Sequence, residues 1–182
     1  MTLLESLRRH RPADAAEAAS LSEIAAFVAR ERDPFDRRNP AAHLTGSAFV
    51  LSEDGARVLL LHHVRLGRWL QPGGHAEPGE ASGEGIALRE ALEETGIPDL
   101  RLDHAAPRPF DVDVHAIPPR EGEPAHKHLD LRYLVRAPDG APIRPQDGES
   151  TRVSWFGWDD LRGLDLDAGV KRALAKARAG VA

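Results

Sequence analysis

The chain has 182 residues, 41% of them hydrophobic and 29% charged, the mix of one soluble domain with a sizeable core. Its formal net charge of −5 supplies no basic field for a nucleic-acid backbone, and the absence of cysteine excludes disulfides, thiolate chemistry and cysteine metal sites. The opening MTLLESLRRHRPADAAEAA has no apolar run of the length that a signal peptide or membrane anchor needs, so the expectation is a cytoplasmic protein without membrane contact.

In chain order, residues 2–32 read as helical. TLLESLRRH predicts a short helix ending before Pro12, and ADAAEAASLSEIAAFVARER a longer one with Leu21, Ile24, Ala25 and Val28 on one stripe. DPFDRRNP breaks it. HLTGSAFVLSEDGARVLLLHHVR carries two apolar, β-branched-rich runs around SEDG and reads as a hairpin. GRWLQPGG reads as an irregular loop, followed by a helix around ALREALEE that stops at Gly96. RLDHAAPRPFDVDVHAIP reads as interrupted strand, PPREGEPA as a polar loop, and HKHLDLRYLVRA is the cleanest alternation in the chain. APDGAPIRPQDGES predicts a loop, TRVSWFGW a strand and DAGVKRALAKARA a closing helix. Two helices, then strands around one glutamate-rich helix, then a last helix predict a mixed α/β (α+β) sandwich rather than regular βαβ alternation.

The glutamate-rich helix carries the chemistry. At helical spacing Ala87, Leu88, Ala91 and Leu92 fall on one side, and Arg89, Glu90, Glu93 and Glu94 on the other. Glu90 and Glu94 are four apart and stack. Carboxylates this close repel unless a cation joins them. Arg89 offsets one, and a hard divalent ion with oxygen ligands fits the rest. Pro72-Gly73-Gly74 lets the backbone turn sharply beside them, and Glu80 joins the set if its loop folds back over the helix. A charged stripe alone is usually a solvated helix face, but Gly-Gly followed at fixed spacing by Glu, then Arg-Glu, Glu-Glu and Gly, is far more specific.

Gly74, five residues, Glu80, and then Arg89-Glu90-Ala91-Leu92-Glu93-Glu94-Thr95-Gly96-Ile97 resemble the signature of the Nudix (MutT-like) hydrolases. GRWLQPGG and VSWFGWDDL are similar to the family's surroundings of that box. The resemblance implies a Nudix-type α/β/α sandwich over residues 39–182 with a helical extension at 1–38. It implies hydrolysis of a nucleoside diphosphate linked to another moiety, with Mg²⁺ or Mn²⁺. It assigns Glu90, Glu93 and Glu94 as metal ligands and candidate bases, Arg89 as the residue that orients them, and Gly74 as a backbone contact to metal or phosphate. One departure stands out: eight residues, ASGEGIAL, separate Glu80 from Arg89 where the pattern has seven. The surplus residue falls in Ser82-Gly83-Glu84-Gly85, with Ser82 a candidate N-cap, so it touches the role of Glu80 and leaves the metal helix in register. Glu84 is the alternative carboxylate but would lie inside the helix.

His126, His128 and Asp130 alternate along one strand and share a face, opposite Leu129, Leu131 and Tyr133, which are expected to be the buried face. His128 or Asp130 either reaches the metal or attacking water, or forms a polar outer face. His62-His63 ends a strand, and a hydrogen-bonded structural role is favoured there. His75 could touch phosphate. Arg68 and Trp69 could meet substrate, yet Trp69 more often anchors such a loop in the core, and Trp155 and Trp158 read as packing residues. The N-terminal helices either cover one face of the domain or form a homodimer interface. The expected partner is a small nucleotide-type substrate rather than a nucleic acid. Two rivals remain in view: a Nudix-like module that binds a nucleotide or metabolite without hydrolysing it, and an RNA-end pyrophosphohydrolase, which the acidic charge disfavours.

Overall fold

A computed structural model describes residues 1–64, 66–120, 122–144 and 150–181. Residue 65 at the end of the expected hairpin, residue 121 of the expected polar loop and residues 145–149 of the loop expected over 137–150 lie outside the described residues. Thr2 opens α1 (Leu3–Arg9) with a capping box, its hydroxyl accepting from the Glu5 N–H while the Glu5 carboxylate accepts from the Thr2 N–H. Asp14 caps α2 (Ala15–Arg30). The hairpin is β1 (Ala42–Leu51) and β2 (Arg57–His63), paired at Val50 with Leu59.

GRWLQPGG departs from the expected loop. It forms β3 (Arg68–Leu70) against β2 and β4 (Gly73–His75) against β1. Strands of three residues are too short to show an alternation, and their hydrogen bonds come from distant partners. Next come α3 (Gly83–Thr95), β5 (Arg101–Leu102), β6 (Asp111–Ile117), β7 (His126–Arg136), β8 (Ser150–Gly157), a 3₁₀ turn (Asp160–Gly163) and α4 (Ala168–Val181). The strands make one curled mixed sheet in the order β3-β2-β1-β7-β5, with β4 also on β1, β6 on β7 and β8 on β2. Its centre is the parallel pair β1–β7, in register from Ala42 opposite Lys127 to Leu51 opposite Arg136.

Every residue of β1 is buried, because both faces of the sheet are covered. Leu44, Ala48 and Val50 pack with Ile86, Ala87 and Ala91 of α3 and with Leu7, Ile24 and Phe27 of the N-terminal helices. Phe49 and Leu51 point the other way, against Val170, Ala173 and Leu174 of α4. The result is the mixed sandwich expected from the sequence, with α1 and α2 as cover. Gly46 sets the depth of α3: a Cβ there would stand 2.6 Å from the Gly83 carbonyl oxygen, so the helix backbone lies directly on β1. Leu92, placed on the apolar side of the helix by its spacing, is instead 46% exposed, since the sheet contacts the stripe of Gly83, Ile86, Ala87 and Ala91.

The His126–Asp130 face of β7 is not an outer face. Asp130 and Arg132 are buried, as are Leu129 and Leu131 on the opposite side. Arg132 reaches Asp130 at 3.0 Å, Asp111 at 3.1 Å and Asp113 at 2.9 Å, and Arg172 of α4 joins Asp111 at 3.0 Å. Glu17 of α2, also buried, accepts from the Ala13 N–H at 2.6 Å, contacts His10 at 2.7 Å and pairs with Lys176. The N-terminal helices, whose apolar residues pack in the other cluster, are thus tied to α4 through ions.

A smaller pair gives a pH test. Asp103 lies 2.7 Å from Arg136 and accepts from the Ala105 N–H at 2.8 Å. Burial is the largest single influence and would raise its pKa, but the bond and charge of Arg136 together with the backbone N–H groups of Ala105 and Ala106 outweigh it and hold the carboxyl below the ordinary value. A depressed folded pKa gives stability that is complete above the unfolded value of about 3.9 and disappears as pH falls through the folded one. In urea titrations wild type should exceed Asp103→Asn by about 1–3 kcal/mol at pH 6. The gap should shrink as pH falls below the unfolded value of about 3.9 and on through the depressed folded one; a gap that keeps its size over that whole descent would refute the charge linkage.

Candidate active site

The site is built where β4 passes the start of α3. Glu77 to Glu80 form a tight turn: the Glu80 N–H donates to the Glu77 carbonyl at 3.0 Å, and the Glu80 carboxylate accepts from the Glu77 N–H at 2.9 Å. This turn sends Glu80 back over α3. Arg89 receives it, with Nη2 3.1 Å and Nε 3.2 Å from its two oxygens. The same guanidinium donates to Glu90 at 3.0 Å, to Glu93 at 3.1 Å and to the His75 carbonyl at 2.7 Å. Glu80 therefore meets Arg89 across eight intervening residues. Ser82 caps α3, accepting from the Gly85 N–H at 3.3 Å, so the surplus residue is taken up ahead of the helix. Glu84 lies in the first turn, 3.8 Å from Arg108, and does not replace Glu80.

The two glycines meet the remaining carboxylates. The Gly73 N–H donates to Glu94 at 2.9 Å. At Gly74 a Cβ would stand 2.6 Å from the Glu90 Cδ, so any side chain would displace that carboxylate. Burial pushes the Glu90 pKa up, and Arg89 draws it only part of the way back. Glu80 is held below its ordinary value by its bond to Arg89. One guanidinium thus serves three carboxylates, with Glu94 beside them. The excess negative charge and the all-oxygen donors suit a hard divalent cation.

Asp130 turns elsewhere. Thr45 donates to one of its oxygens at 3.0 Å, while Ser47 at 2.8 Å and Arg132 at 3.0 Å share the other. His128 joins a histidine cluster: its Nε2 is 3.0 Å from His75 Nε2 and 3.1 Å from His126 Nε2, and its ring centroid is 4.9 Å from that of His43. Burial first, and the neighbouring imidazoles second, lower the pKa of His43 to about 4 and of His128 to about 3. His43 was not singled out from the sequence. Its place opposite His128 depends on the β1–β7 register, which no local pattern carries. Among the described residues, the three metal-capable side chains whose ligand atoms all lie within 4.8 Å of one another are His43, His75 and His128, not the glutamates of α3.

The other candidates pack. His62 meets Trp69 edge-on, and Trp69 meets Phe156 edge-on at 4.8 Å. Arg68 pairs with Asp165 at 3.4 Å. The Leu66 N–H donates to His63 Nδ1 at 3.4 Å. Arg57 lies over Trp155, and Trp158 donates to the Gly55 carbonyl at 3.0 Å.

Sheet, glycine strand and glutamate helix define an α/β/α sandwich with a carboxylate-lined site where β4 meets α3. The NUDIX domain family model matches residues 42–177, and the chain belongs to that family. It is 32% identical over 126 residues to the m7GpppN-mRNA hydrolase NUDT17 of Bos taurus, covering 63% of this chain and 41% of that protein. Over 135 residues it is 28% identical to the NAD-capped RNA hydrolase NudC of Chromobacterium violaceum, covering 73% and 45%. The chain therefore spans less than half the length of these curated relatives. Among solved structures, a NUDIX-family hydrolase from Clostridium perfringens aligns with a TM-score of 0.58 at 24% identity, over 76% of this chain and 95% of that one. The NUDIX domain of Shewanella oneidensis NrtR, solved with ADP ribose, aligns with a TM-score of 0.56 at 20% identity, over 87% and 98%. These likenesses concern the fold. Nudix hydrolases generally need a divalent metal. Among the described residues no helix is long and apolar enough to cross a membrane.

Proposed function

We propose that the protein hydrolyses a pyrophosphate bond in a nucleoside diphosphate linked to another moiety, using Mg²⁺ or Mn²⁺. The observation that carries this reading is the Arg89 hub, which gathers Glu80, Glu90 and Glu93 while Gly73 holds Glu94. Glu90, Glu93 and Glu94, with the backbone of Gly74, are the groups that would hold the ion. When bound, it would neutralise phosphate charge and acidify a water. The chain's own residues do the positioning. Arg89 fixes two carboxylates and ties them to the His75 carbonyl, and Glu80 keeps that guanidinium in place. The Gly73 N–H orients Glu94, and Gly74 leaves room for Glu90. An ionised glutamate of this set accepts the proton of the attacking water.

In this reading residues 39–182 are the hydrolase domain and residues 1–38 brace it. It describes a cytoplasmic enzyme of small nucleotide-type substrates, a choice that the net charge of −5 supports over a nucleic-acid chain. The rival is a domain that binds such a compound without cleaving it. Four carboxylates around one arginine favour the enzyme, because binding alone has no use for their mutual repulsion. A screen with Mg²⁺ or Mn²⁺ tests this: nucleotide sugars, ADP ribose, dinucleoside polyphosphates, nucleoside triphosphates, and m7G- and NAD-capped RNA, read as phosphate release after a phosphatase. Turnover of a small compound supports the proposal. Turnover of capped RNA alone would move the substrate to RNA ends, the substrates in the names of the two relatives. Binding without turnover on every compound would favour the rival.

The surplus residue gives a paired prediction. Glu80→Gln should lower kcat/KM by about 10–100-fold, the usual effect of losing a group that orients metal ligands. Glu84→Gln should stay within about twofold, since it lies apart from Arg89. Equal losses in steady-state assays would contradict the assignment of Glu80 as the arginine's partner.

A further inference from the structure

Imidazoles from three strands converge beside the glycine turn, on the opposite side of β1 from α3. His43 shares its β1 face with Thr45, Ser47 and Phe49, whereas α3 packs on the face of Leu44, Gly46 and Ala48. His43 is 1% exposed, and neither of its ring nitrogens has a hydrogen-bond partner. Two idle polar atoms on one buried ring are costly in a core where such groups are normally satisfied. The neighbouring rings are arranged in the same sense. His126 Nδ1 stands 2.9 Å from the Pro124 carbonyl, an acceptor only, so Nδ1 carries the proton and Nε2 keeps its lone pair. That lone pair faces His128 Nε2 at 3.1 Å, which also faces His75 Nε2 at 3.0 Å. At most one proton on His128 Nε2 serves both contacts. A cation at the centre would satisfy all of these nitrogens together.

We infer that His43, His75 and His128 bind a divalent transition-metal cation of the zinc class, with His126 beside His128 as a fourth imidazole. Their ligand atoms already lie within 4.8 Å of one another. Zinc–imidazole bonds of about 2.0–2.1 Å place tetrahedral ligand nitrogens about 3.3–3.4 Å apart, so the gathered rings need only small shifts. The Pro124 carbonyl accepts from His126 Nδ1 and so fixes the tautomer of that ring. Imidazole nitrogen selects zinc, copper, nickel or cobalt, whereas carboxylate and carbonyl oxygen suit magnesium, so this centre and the α3 glutamates differ in preference. Its effect on the fold is a clamp: one ligand comes from each of β1, β4 and β7, and the β4 ligand follows directly on Gly73 and Gly74. The inference rests on the cluster and not on the hydrolase reading.

The test is zinc binding by the full chain after chelator treatment and dialysis, titrated with Zn²⁺ alone against a chromophoric chelator. One Zn²⁺ per chain, resistant to excess Mg²⁺, and a rise in the thermal midpoint are expected. Co²⁺ in its place should give visible ligand-field bands of a nitrogen-bound ion. His43→Asn and His75→Asn should each weaken Zn²⁺ binding by at least about 100-fold, and Glu94→Gln should leave it within about threefold. Circular dichroism without metal checks that each variant folds. Should the buried His43 substitution fail that check, His75→Asn, at a half-buried site, decides the matter. Absence of stoichiometric zinc, unchanged affinity in a folded His75→Asn, or a loss that follows Glu94→Gln instead would overturn the proposal.

Discussion

Exchange of Glu94 for Gln is expected to lower kcat/KM on the substrate found by screening by on the order of 10³-fold, about 4 kcal/mol of transition-state stabilisation. The substitution is chosen for what it preserves. The Gln oxygen can still accept from the Gly73 N–H, which Glu94 now meets at 2.9 Å, so β4 and α3 keep their contact. Only the charge is lost. If the carboxylates hold an ion, that loss weakens the ion and the field around the phosphate together. The thermal midpoint should stay close to that of wild type, because Glu94 lies outside both apolar clusters. A variant with full activity and normal metal dependence would remove Glu94 from the site, and the proposed ligand set would fall with it.

Arg132→Met should be the most destabilising single change at the buried ion network, costing about 3–5 kcal/mol. Its guanidinium is inaccessible to solvent and faces Asp111, Asp113 and Asp130 at 2.9–3.1 Å. Burial opposes its charge, but these carboxylates overcome that and raise its pKa further. Methionine matches much of the volume and leaves three carboxylates short of a partner. Asp111 keeps Arg172 and Lys176, and Asp113 keeps Arg172 at 3.5 Å, so the deficit falls mainly on the buried Asp130. Chemical denaturation of the metal-free protein at pH 7 measures the effect. A loss under about 1 kcal/mol would show that the network adds little beyond packing.

The parts of the molecule legible in the sequence are those whose signals are local. The glutamate helix announces itself by its period, by Ser82 at one end and by Gly96, which takes a left-handed conformation at the other. The order of elements was enough for the layered sandwich. The parts that escaped depend on partners far along the chain. Strands β3 and β4 exist because β2 and β1 offer edges to them. Leu92 faces outward because the sheet sits a little around the helix from where periodicity alone would put it. Asp130 was visible as a polar residue on an alternating strand, but its burial against Arg132, Thr45 and Ser47 follows from a register set elsewhere. Similarly, the eight-residue spacing flagged Glu80, and only the turn from Glu77 showed how it reaches Arg89.

The parallel pairing at the centre of the sheet has a consequence for how the chain is made. Thr45 and Asp130, opposite one another on β1 and β7, are 85 positions apart. Synthesis delivers β1 first of the strands, and its partner follows only after the glutamate-rich helix and five further strands, β2 to β6, have emerged. Until then the most buried strand of the finished protein has an open edge and apolar faces. Closing a loop of this size costs entropy before any contact repays it, so the sheet should form late and slowly. The hazard of aggregation therefore belongs to the unfinished chain, and a pause in translation before residue 126 would prolong it.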